Sequence, residues 1–419
     1  MCAMLRSIAI SARPRILKPL SRRNSVNSAV LTSQSVSGSA SGSASGLINI
    51  DKRWMRAAIA QSRRAEGRTA SNPPVGCVIL DKSGRLCAAA HTAVGGVPHA
   101  ETRALEMAGA AARGGTVYVT LEPCAHQGKT PPCVDALIAA RVARIVVALG
   151  DPDRRVNGRG LDKAKSAGIH VDLGVEAAAA GAVLNGFLQR ITHGRPVVWL
   201  KTAASLDGAI ALADGQKRWL TGEPMRHVVH ELRSRCDALL SGVGTILADD
   251  PEFTCRAPSL TADSPALYIL DSQLRTPTSA RLFGDGQRAV TMLCTASASQ
   301  QRRAALTKAG ATVTVLPADA QGRVDFSAAL DHLGAAGINK VLVEAGTGIT
   351  TTVLKAALAD EIYWTQSPHI LGSDARPAVA ALKLVALPPQ NLYTQSRSLS
   401  VGQDQLRVFV KNVSADRTE

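Results

Sequence analysis

Aromatic side chains are scarce in this chain of 419 residues, 3% of the total, which leaves few rings for stacking the bases of single-stranded nucleic acid. Long apolar runs are missing as well. The richest stretch, residues 177–188, is broken by Gly181, Asn185 and Gly186 and falls short of the roughly 18 to 20 residues that span a bilayer, so no membrane partner is expected. The eight cysteines (Cys2, Cys77, Cys87, Cys124, Cys133, Cys236, Cys255 and Cys294) are too thinly spread for the disulfide framework of a small secreted domain, which points to a reducing compartment. Acidic residues are absent from positions 1–50, which hold six Lys and Arg.

Apolar content is not lacking: 46% hydrophobic against 19% charged residues excludes disorder for the bulk of the chain. At roughly 150 residues per domain the length suggests about two or three domains. The formal charge of +15 is partly a property of the first 50 residues; the remainder carries 42 basic against 33 acidic side chains, a net +9. A balance of that size suits a phosphorylated small substrate as well as it suits RNA.

Three segments follow. Residues 1–48 are Ser-rich and basic (Arg13, Arg15, Lys18, Arg22, Arg23) and run into the low-complexity stretch 37–46. That is the composition of a disordered leader, either an organellar transit peptide or sequence upstream of a start at Met55, which would open the first helix. Residues 49–192 alternate helix and strand. Trp54, Ala57, Ala58 and Ile59 lie on a basic helix ended by the turn residues 67–74. Strands are predicted over 75–80, 86–90, 116–121 and 145–149, and helices over 99–112 and 132–141, the pattern of an α/β/α sandwich. Ala179, Val183, Leu184, Phe187 and Leu188 have helical spacing and predict a connecting helix over 176–191. Residues 193–419 restart the alternation, with strands predicted over 197–202, 238–241, 266–270, 290–293, 312–316 and 340–343 and a terminal edge strand over 408–411, a second independent α/β fold.

The strongest chemical signal is Pro98-His99-Ala100-Glu101, followed 22 residues later by Pro123-Cys124 and then by Cys133. A lone His at a helix start or a lone Cys is ordinarily a packed side chain. In this order, one imidazole and two thiolates offer Zn²⁺ three ligands and leave a fourth position for water, the pattern of a catalytic site. Glu101 is spaced to reach that water rather than the metal, so that it can take a proton and return it to a departing amine. The set is similar to that of zinc-dependent nucleobase deaminases. His126 is a further candidate ligand, although its loop position also fits substrate contact or plain solvation.

Eight residues separate Cys124 from Cys133, and the insertion His126-Gln127-Gly128-Lys129-Thr130-Pro131-Pro132 carries a more specific resemblance. With Asn72-Pro73-Pro74-Val75-Gly76, His91, Asp151-Pro152 and Gly158-Arg159-Gly160, it resembles the deaminase domain of the bifunctional riboflavin-biosynthesis deaminase-reductases. The resemblance implies a cytidine-deaminase-like domain acting on a pyrimidine ribosylamine 5′-phosphate. Asn72, His91 and Asp151 would line its pocket, and His126 and Lys129 would contribute from the inserted loop. Asp153 stands where many members have Asn.

In the second domain, Gly242-Val243-Gly244-Thr245 and Gly346-Thr347-Gly348 each follow a predicted strand and could bring backbone N–H groups toward phosphate, although a glycine pair there is as often a simple turn. The larger set, Lys201-Thr202-Ala203-Ala204-Ser205-Leu206-Asp207-Gly208, Trp219-Leu220-Thr221-Gly222, Asp249-Asp250-Pro251, Leu270-Asp271-Ser272 and Val343-Glu344-Ala345-Gly346, resembles the reductase domain of the same family, which is similar to dihydrofolate reductase in fold and uses NADPH. By that resemblance Ala203, Trp219, Thr245, Asp249, Ser272, Gly346, Thr347, Gly348, Ile349, Thr350, Thr351 and Thr352 would touch NADPH. Arg233, Phe253, Arg256 and Glu344 would hold the phosphorylated substrate together with Lys217, which occupies a position where the family commonly has Ser. Asp207 reads equally as a turn residue before Gly208.

The resemblance therefore implies a zinc- and NADPH-dependent bifunctional enzyme. It would deaminate 2,5-diamino-6-ribosylamino-4(3H)-pyrimidinone 5′-phosphate and then reduce the ribosyl group to ribityl. The expected setting is a cytoplasmic homo-oligomer, or an organellar one if the leader is a transit peptide, with a small-molecule partner and neither nucleic acid nor membrane. Two other readings stay open: a basic RNA-associated protein with a deaminase-like module directed at tRNA, and a chain in which only one domain is active. Because residues 1–50 have no apolar periodicity with which to dock on a core, their deletion is expected to leave both activities and the thermal midpoint nearly unchanged, as assays and a melting curve of the truncated chain would check.

Overall fold

The computed structural model describes residues 41–128, 131–215, 218–256, 264–284, 286, 288–386 and 392–412. The leader expected over 1–48 lies outside them up to residue 40. From there the chain is helical: α1 (Ser41–Ala65) begins 14 residues ahead of Met55. It is followed by β1 (Gly76–Leu80), β2 (Leu86–His91), α2 (Ala100–Ala108), β3 (Thr116–Val119), α3 (Cys133–Ala139), β4 (Arg144–Val147), α4 (Arg159–Ser166), β5 (His170–Leu173) and α5 (Ala177–His193). The strands form one sheet in the order β2-β1-β3-β4-β5, antiparallel as far as β3 and parallel beyond it. Alternation along the strands explains the layers. Cys77, Ile79, Val117, Val119, Ile145 and Val147 face α2, α3 and α4, while Val78, Leu80, Tyr118 and Val146 face α1 and α5. The helix expected over 99–112 is interrupted at Gly109, whose φ of 53° ends α2 and starts a 3-10 turn.

The second sheet is built from β6 (Val197–Ala204), β7 (Ala209–Ala211), α6 (Glu223–Ser234), β8 (Ala238–Gly242), α7 (Val243–Asp249), β9 (Ala266–Leu270), β10 (Val290–Cys294), α8 (Gln300–Lys308), β11 (Thr312–Val315), α9 (Phe326–Ala335), β12 (Lys340–Glu344), α10 (Thr347–Lys355), β13 (Glu361–Gln366), β14 (Arg376–Pro377), β15 (Tyr393–Val401) and β16 (Asp404–Lys411). Its order is β11-β10-β9-β8-β12-β6-β13-β16-β15, parallel through β13 and antiparallel after it; β7 and β14 pair separately. The segment 408–411 is not an edge strand: β16 lies between β13 and β15, and β15 forms the edge. Most of β15 is exposed, so it carries no apolar alternation from which a strand could be read. Among the described residues no helix is long and apolar enough to cross a membrane.

The two sheets meet through a buried ion cluster. The Glu66 carboxylate, in the turn after α1, accepts from Lys340 Nζ at 2.8 Å and from Arg235 at 3.0 Å, and the side chains of Glu66 and Lys340 are 4% and 6% exposed. Both cations lie over the Trp199 ring, at 4.3 and 5.2 Å from its centroid. Close backbone approach completes the contact: a Cβ on Gly67, which has φ 71°, would sit 2.5 Å from the Ser234 carbonyl oxygen. Removing one member of a buried cluster leaves the others without compensation. Glu66→Ala is therefore expected to lower stability by about 3–5 kcal/mol in chemical denaturation, while Glu176→Ala, which loses a pair with the largely exposed Arg56, changes it by about 0–1 kcal/mol.

Candidate functional site

In the first domain the metal-ligand candidates converge from three places. His99 is the N-cap of α2, Cys124 follows β3 in a loop, and Cys133 is the first residue of α3 with Pro132 as its N-cap. The His99 Nδ1 lies 3.6 Å from Cys124 Sγ and 3.3 Å from Cys133 Sγ, and all three ligand atoms lie within 4.8 Å of one another. The two sulfurs cannot both be charged without a cation between them. The Cys133 thiol and His99 pull Cys124 down to about 4, while the contact with Cys124, together with burial, pushes Cys133 well up. This donor set and spacing fit Zn²⁺, which takes both sulfurs as thiolates.

Glu101 sits in the first turn of α2, 3% exposed, and accepts from the Cys133 thiol; burial and the neighbouring Cys124 charge raise its pKa to about 7. The other expected residues lie on the surrounding turns. Asn72 donates from Nδ2 to the Gly96 carbonyl at 2.9 Å, three residues before His99. His91 ends β2 beside Gln61, and burial followed by the charges of Arg103, Arg64 and Arg68 lowers its pKa. The Nδ1 of His126 is buried without a hydrogen-bond partner. Lys129 lies outside the described residues. Asp151 is buried, its pKa raised to about 6 by desolvation, and it accepts from the Asp153 N–H at 2.9 Å. Asp153, in the position where Asn is usual, is held by Arg155, whose hydrogen bonds lower its pKa.

One organising residue was not anticipated. Glu122, two residues before Cys124, is buried, and its carboxylate accepts backbone N–H groups from Asp151, Gly158, Gly160 and Leu161 at 3.2, 3.0, 2.9 and 3.4 Å. It ties the loop carrying Asp151, and the start of α4, to the loop carrying Cys124. The sequence signal was its place directly before Pro123-Cys124.

In the second domain a cavity of about 890 Å³ opens at the C-terminal ends of the parallel strands β6, β8, β9 and β12, where open α/β sheets hold their ligands. Ala203, Trp219, Thr245, Asp249 and Ser272 line it, as do Arg233, Phe253 and Glu344. Of the stretch after β12, Gly346, Thr347, Gly348, Ile349 and Thr352 face the cavity. Thr350 and Thr351 are not among the lining residues: at about 100° per residue Thr350 falls on the opposite face of α10, and Thr351 lies one turn behind Thr347. Thr350 is buried and bonds to the Ala345 carbonyl, and the Thr351 hydroxyl bonds to the Thr347 carbonyl and accepts from Ala380 N–H. Arg256 lies outside the lining and pairs with Glu252 at 2.8 Å. Lys217 is outside the described residues, between the lining residues Gly215 and Arg218.

Arg233 and Glu344 form a bidentate pair at 2.6 and 2.9 Å, and Arg233 also donates to the Thr254 carbonyl. Burial lowers the pKa of the nearby Lys201, whose neighbours are Glu344 and Arg233. Asp207 holds a turn: it accepts from the Ser205 hydroxyl and from the N–H groups of Leu371 and Gly372. Arg275, Arg323 and Arg376 also line the cavity. They come from separate loops and a two-residue strand, so no motif in the sequence joins them. An added Cβ on Gly346 or Gly348 would meet no atom within 4 Å, so both glycines border open space at the cavity.

Residues 48–149 match the family described as cytidine and deoxycytidylate deaminase zinc-binding region, and residues 196–404 match the RibD C-terminal domain. Fold and sites together define a class of enzyme, a zinc deaminase joined in one chain to a dinucleotide-dependent reductase. The riboflavin biosynthesis protein RibD of Escherichia coli strain K12 is 39% identical over 364 residues, which cover 84% of this chain and 97% of that one. Two solved structures are also alike: Acinetobacter baumannii RibD, form 1, with a TM-score of 0.78 at 32% identity over 87% of this chain and 99% of that one, and the Thermotoga maritima diaminohydroxyphosphoribosylaminopyrimidine deaminase/5-amino-6-(5-phosphoribosylamino)uracil reductase, with 0.76 at 29% over 87% and 100%. This chain belongs to the RibD family of riboflavin biosynthesis proteins. It is a zinc-dependent deaminase and an NADPH-dependent reductase, and a small phosphorylated pyrimidine fits it as substrate.

The cavity generates a prediction. Because the position of Gly348 is open within the protein, Gly348→Val is expected to fold normally and to raise the KM for NADPH with little change in that for the pyrimidine. Steady-state kinetics with each substrate varied in turn would check it.

Proposed function

We propose that the two sites act in succession on one molecule. The first deaminates 2,5-diamino-6-ribosylamino-4(3H)-pyrimidinone 5′-phosphate, and the second reduces the ribosyl group of the product to ribityl. The observation that carries this reading is the buried Glu101 carboxyl lodged against the His99, Cys124 and Cys133 group. When bound there, zinc supplies the Lewis acid that activates water. Glu101 takes the proton released as water adds to the amidine carbon and delivers it to the nitrogen of the departing amine. Asn72, His91, His126 and Asp151 hold the pyrimidine, and the resemblance assigns Lys129 to the same substrate. Glu122 keeps the Asp151 loop in register with the Cys124 loop.

In the second site Ala203, Trp219, Thr245, Asp249, Ser272 and the cavity-facing part of 346–352 hold NADPH, which supplies a hydride when bound. Arg233, Phe253 and Glu344 belong to the substrate side; the resemblance adds Lys217 and Arg256, although Arg256 pairs with Glu252 outside the lining. Among the described residues Glu344 and Thr254 engage three of the five N–H donors of Arg233, which leaves two for a phosphate oxygen. The work of this site is positioning, bringing the reacting carbon to the nicotinamide. The domain limits are 49–192 and 193–419. The protein is a cytoplasmic homo-oligomer without a nucleic-acid partner, and the exposed edge strand β15 offers an unpaired backbone for self-association.

The test is a coupled assay. Ammonia is expected from the diaminopyrimidine without NADPH, and NADPH oxidation only after deamination; oxidation on the unreacted diaminopyrimidine would overturn the order. Glu101→Gln should retain zinc and full reductase activity on the deaminated intermediate, yet lose about 10²- to 10⁴-fold in deamination.

A further inference from the structure

Asn339, immediately ahead of β12, belongs to the reductase half, yet its side chain is spent on the deaminase half. It is 5% exposed. Its backbone is fixed by the second sheet, with N–H to Asp237 at 3.0 Å and carbonyl to Val197 N–H at 2.9 Å. Arg190 Nε donates to its Oδ1 at 2.7 Å, which orients the amide so that Nδ2 donates to the Ala70 carbonyl at 3.0 Å and approaches the Asn72 carbonyl at 3.5 Å. The same Arg190 donates to the Ser71 carbonyl at 2.6 Å. Three successive carbonyls of the turn are thus approached by donors from outside it.

That turn needs holding. Ala70 has φ 50°, a left-handed conformation that a residue with a Cβ adopts at a cost. The turn also leads to the metal site. The Thr69 hydroxyl closes it on the Asn72 carbonyl at 2.7 Å, Gly95 N–H reaches the Arg68 carbonyl at 2.8 Å, and Asn72 Nδ2 is bonded to Gly96, three residues ahead of His99.

We propose that Asn339 is a positioning residue of the deaminase site, holding from the reductase domain the 69–72 turn that presents Asn72 to the substrate. The zinc-site chemistry stays with the first domain, and the second domain supplies part of the frame. This rests on the reading of Asn72 as a substrate contact.

Asn339→Asp in the full chain is the discriminating variant, because it retains an acceptor for Arg190 and removes the donor to Ala70. The deaminase KM is expected to rise about 3- to 10-fold, the range of one lost hydrogen bond, with kcat little changed. Zinc content and both reductase KM values should be those of the parent, which also reports that the variant is folded. Asn339→Ala must move the deaminase KM in the same direction. Unmoved deamination constants, or deaminase and reductase activities falling together, would overturn the proposal. Asn72→Ala separates the two readings. If it raises the deaminase KM while Asn339→Asp does not, the positioning role alone fails; if it leaves that KM unchanged, the reading of Asn72 fails and takes the proposed route with it.

Discussion

A carboxylate enclosed by two cations and an indole ring governs how this chain is put together. Glu66 comes from the turn after α1, Arg235 follows α6, Lys340 opens β12, and Trp199 lies in β6. Such a cluster contributes less net stability than an apolar contact of equal volume, because Glu66 and Lys340 give up their hydration while Arg235 stays about half exposed, but it pairs the buried charges in one arrangement. It therefore acts mainly on register. The Gly67 backbone is drawn against Ser234, and the adjoining turn is drawn to Asn339 and Arg190.

The two sites are made differently. The zinc site is local: its ligands are two helix starts and one loop within 35 residues, and Glu122 ties in a fourth segment through backbone N–H groups. The reductase cavity is a product of topology, assembled from the ends of strands that are distant in sequence but adjacent in the sheet. A short local site leaves a compact motif in the sequence, whereas a topological site leaves scattered residues.

That difference decides how much of each site is legible in the sequence. Strands such as Gly76–Leu80 and Ala238–Gly242, buried at every position, stand out by composition, and their limits were found to within a residue or so. The His99, Glu101, Cys124 and Cys133 set was legible because metal chemistry fixes both residue type and order. Only the β16 half of the β15–β16 hairpin is legible in the sequence, since residues 394–400 are all exposed and carry no alternation. A linear motif does not separate Thr350 and Thr351 from the cofactor stretch, whereas in the helix Thr350 is turned inward and Thr351 lies behind Thr347, its hydroxyl taken by Ala380 N–H. The roles of Glu66 and Asn339 leave no mark in the sequence, because their side-chain partners lie 149 to 274 residues away along the chain.

β12 joins the two constructions. Its first residue, Lys340, closes the ion cluster at the junction, and its last, Glu344, is the carboxylate paired with Arg233 in the cavity. Four residue steps of about 3.3 Å place these ends roughly 13 Å apart, with both side chains on one face of the sheet. Inserting or deleting one residue between them would invert one end relative to the other and break the junction or the cavity pair. The length of this strand is consequently a quantity on which two domains must agree, and natural variation in chain length has to be absorbed in the loops rather than here.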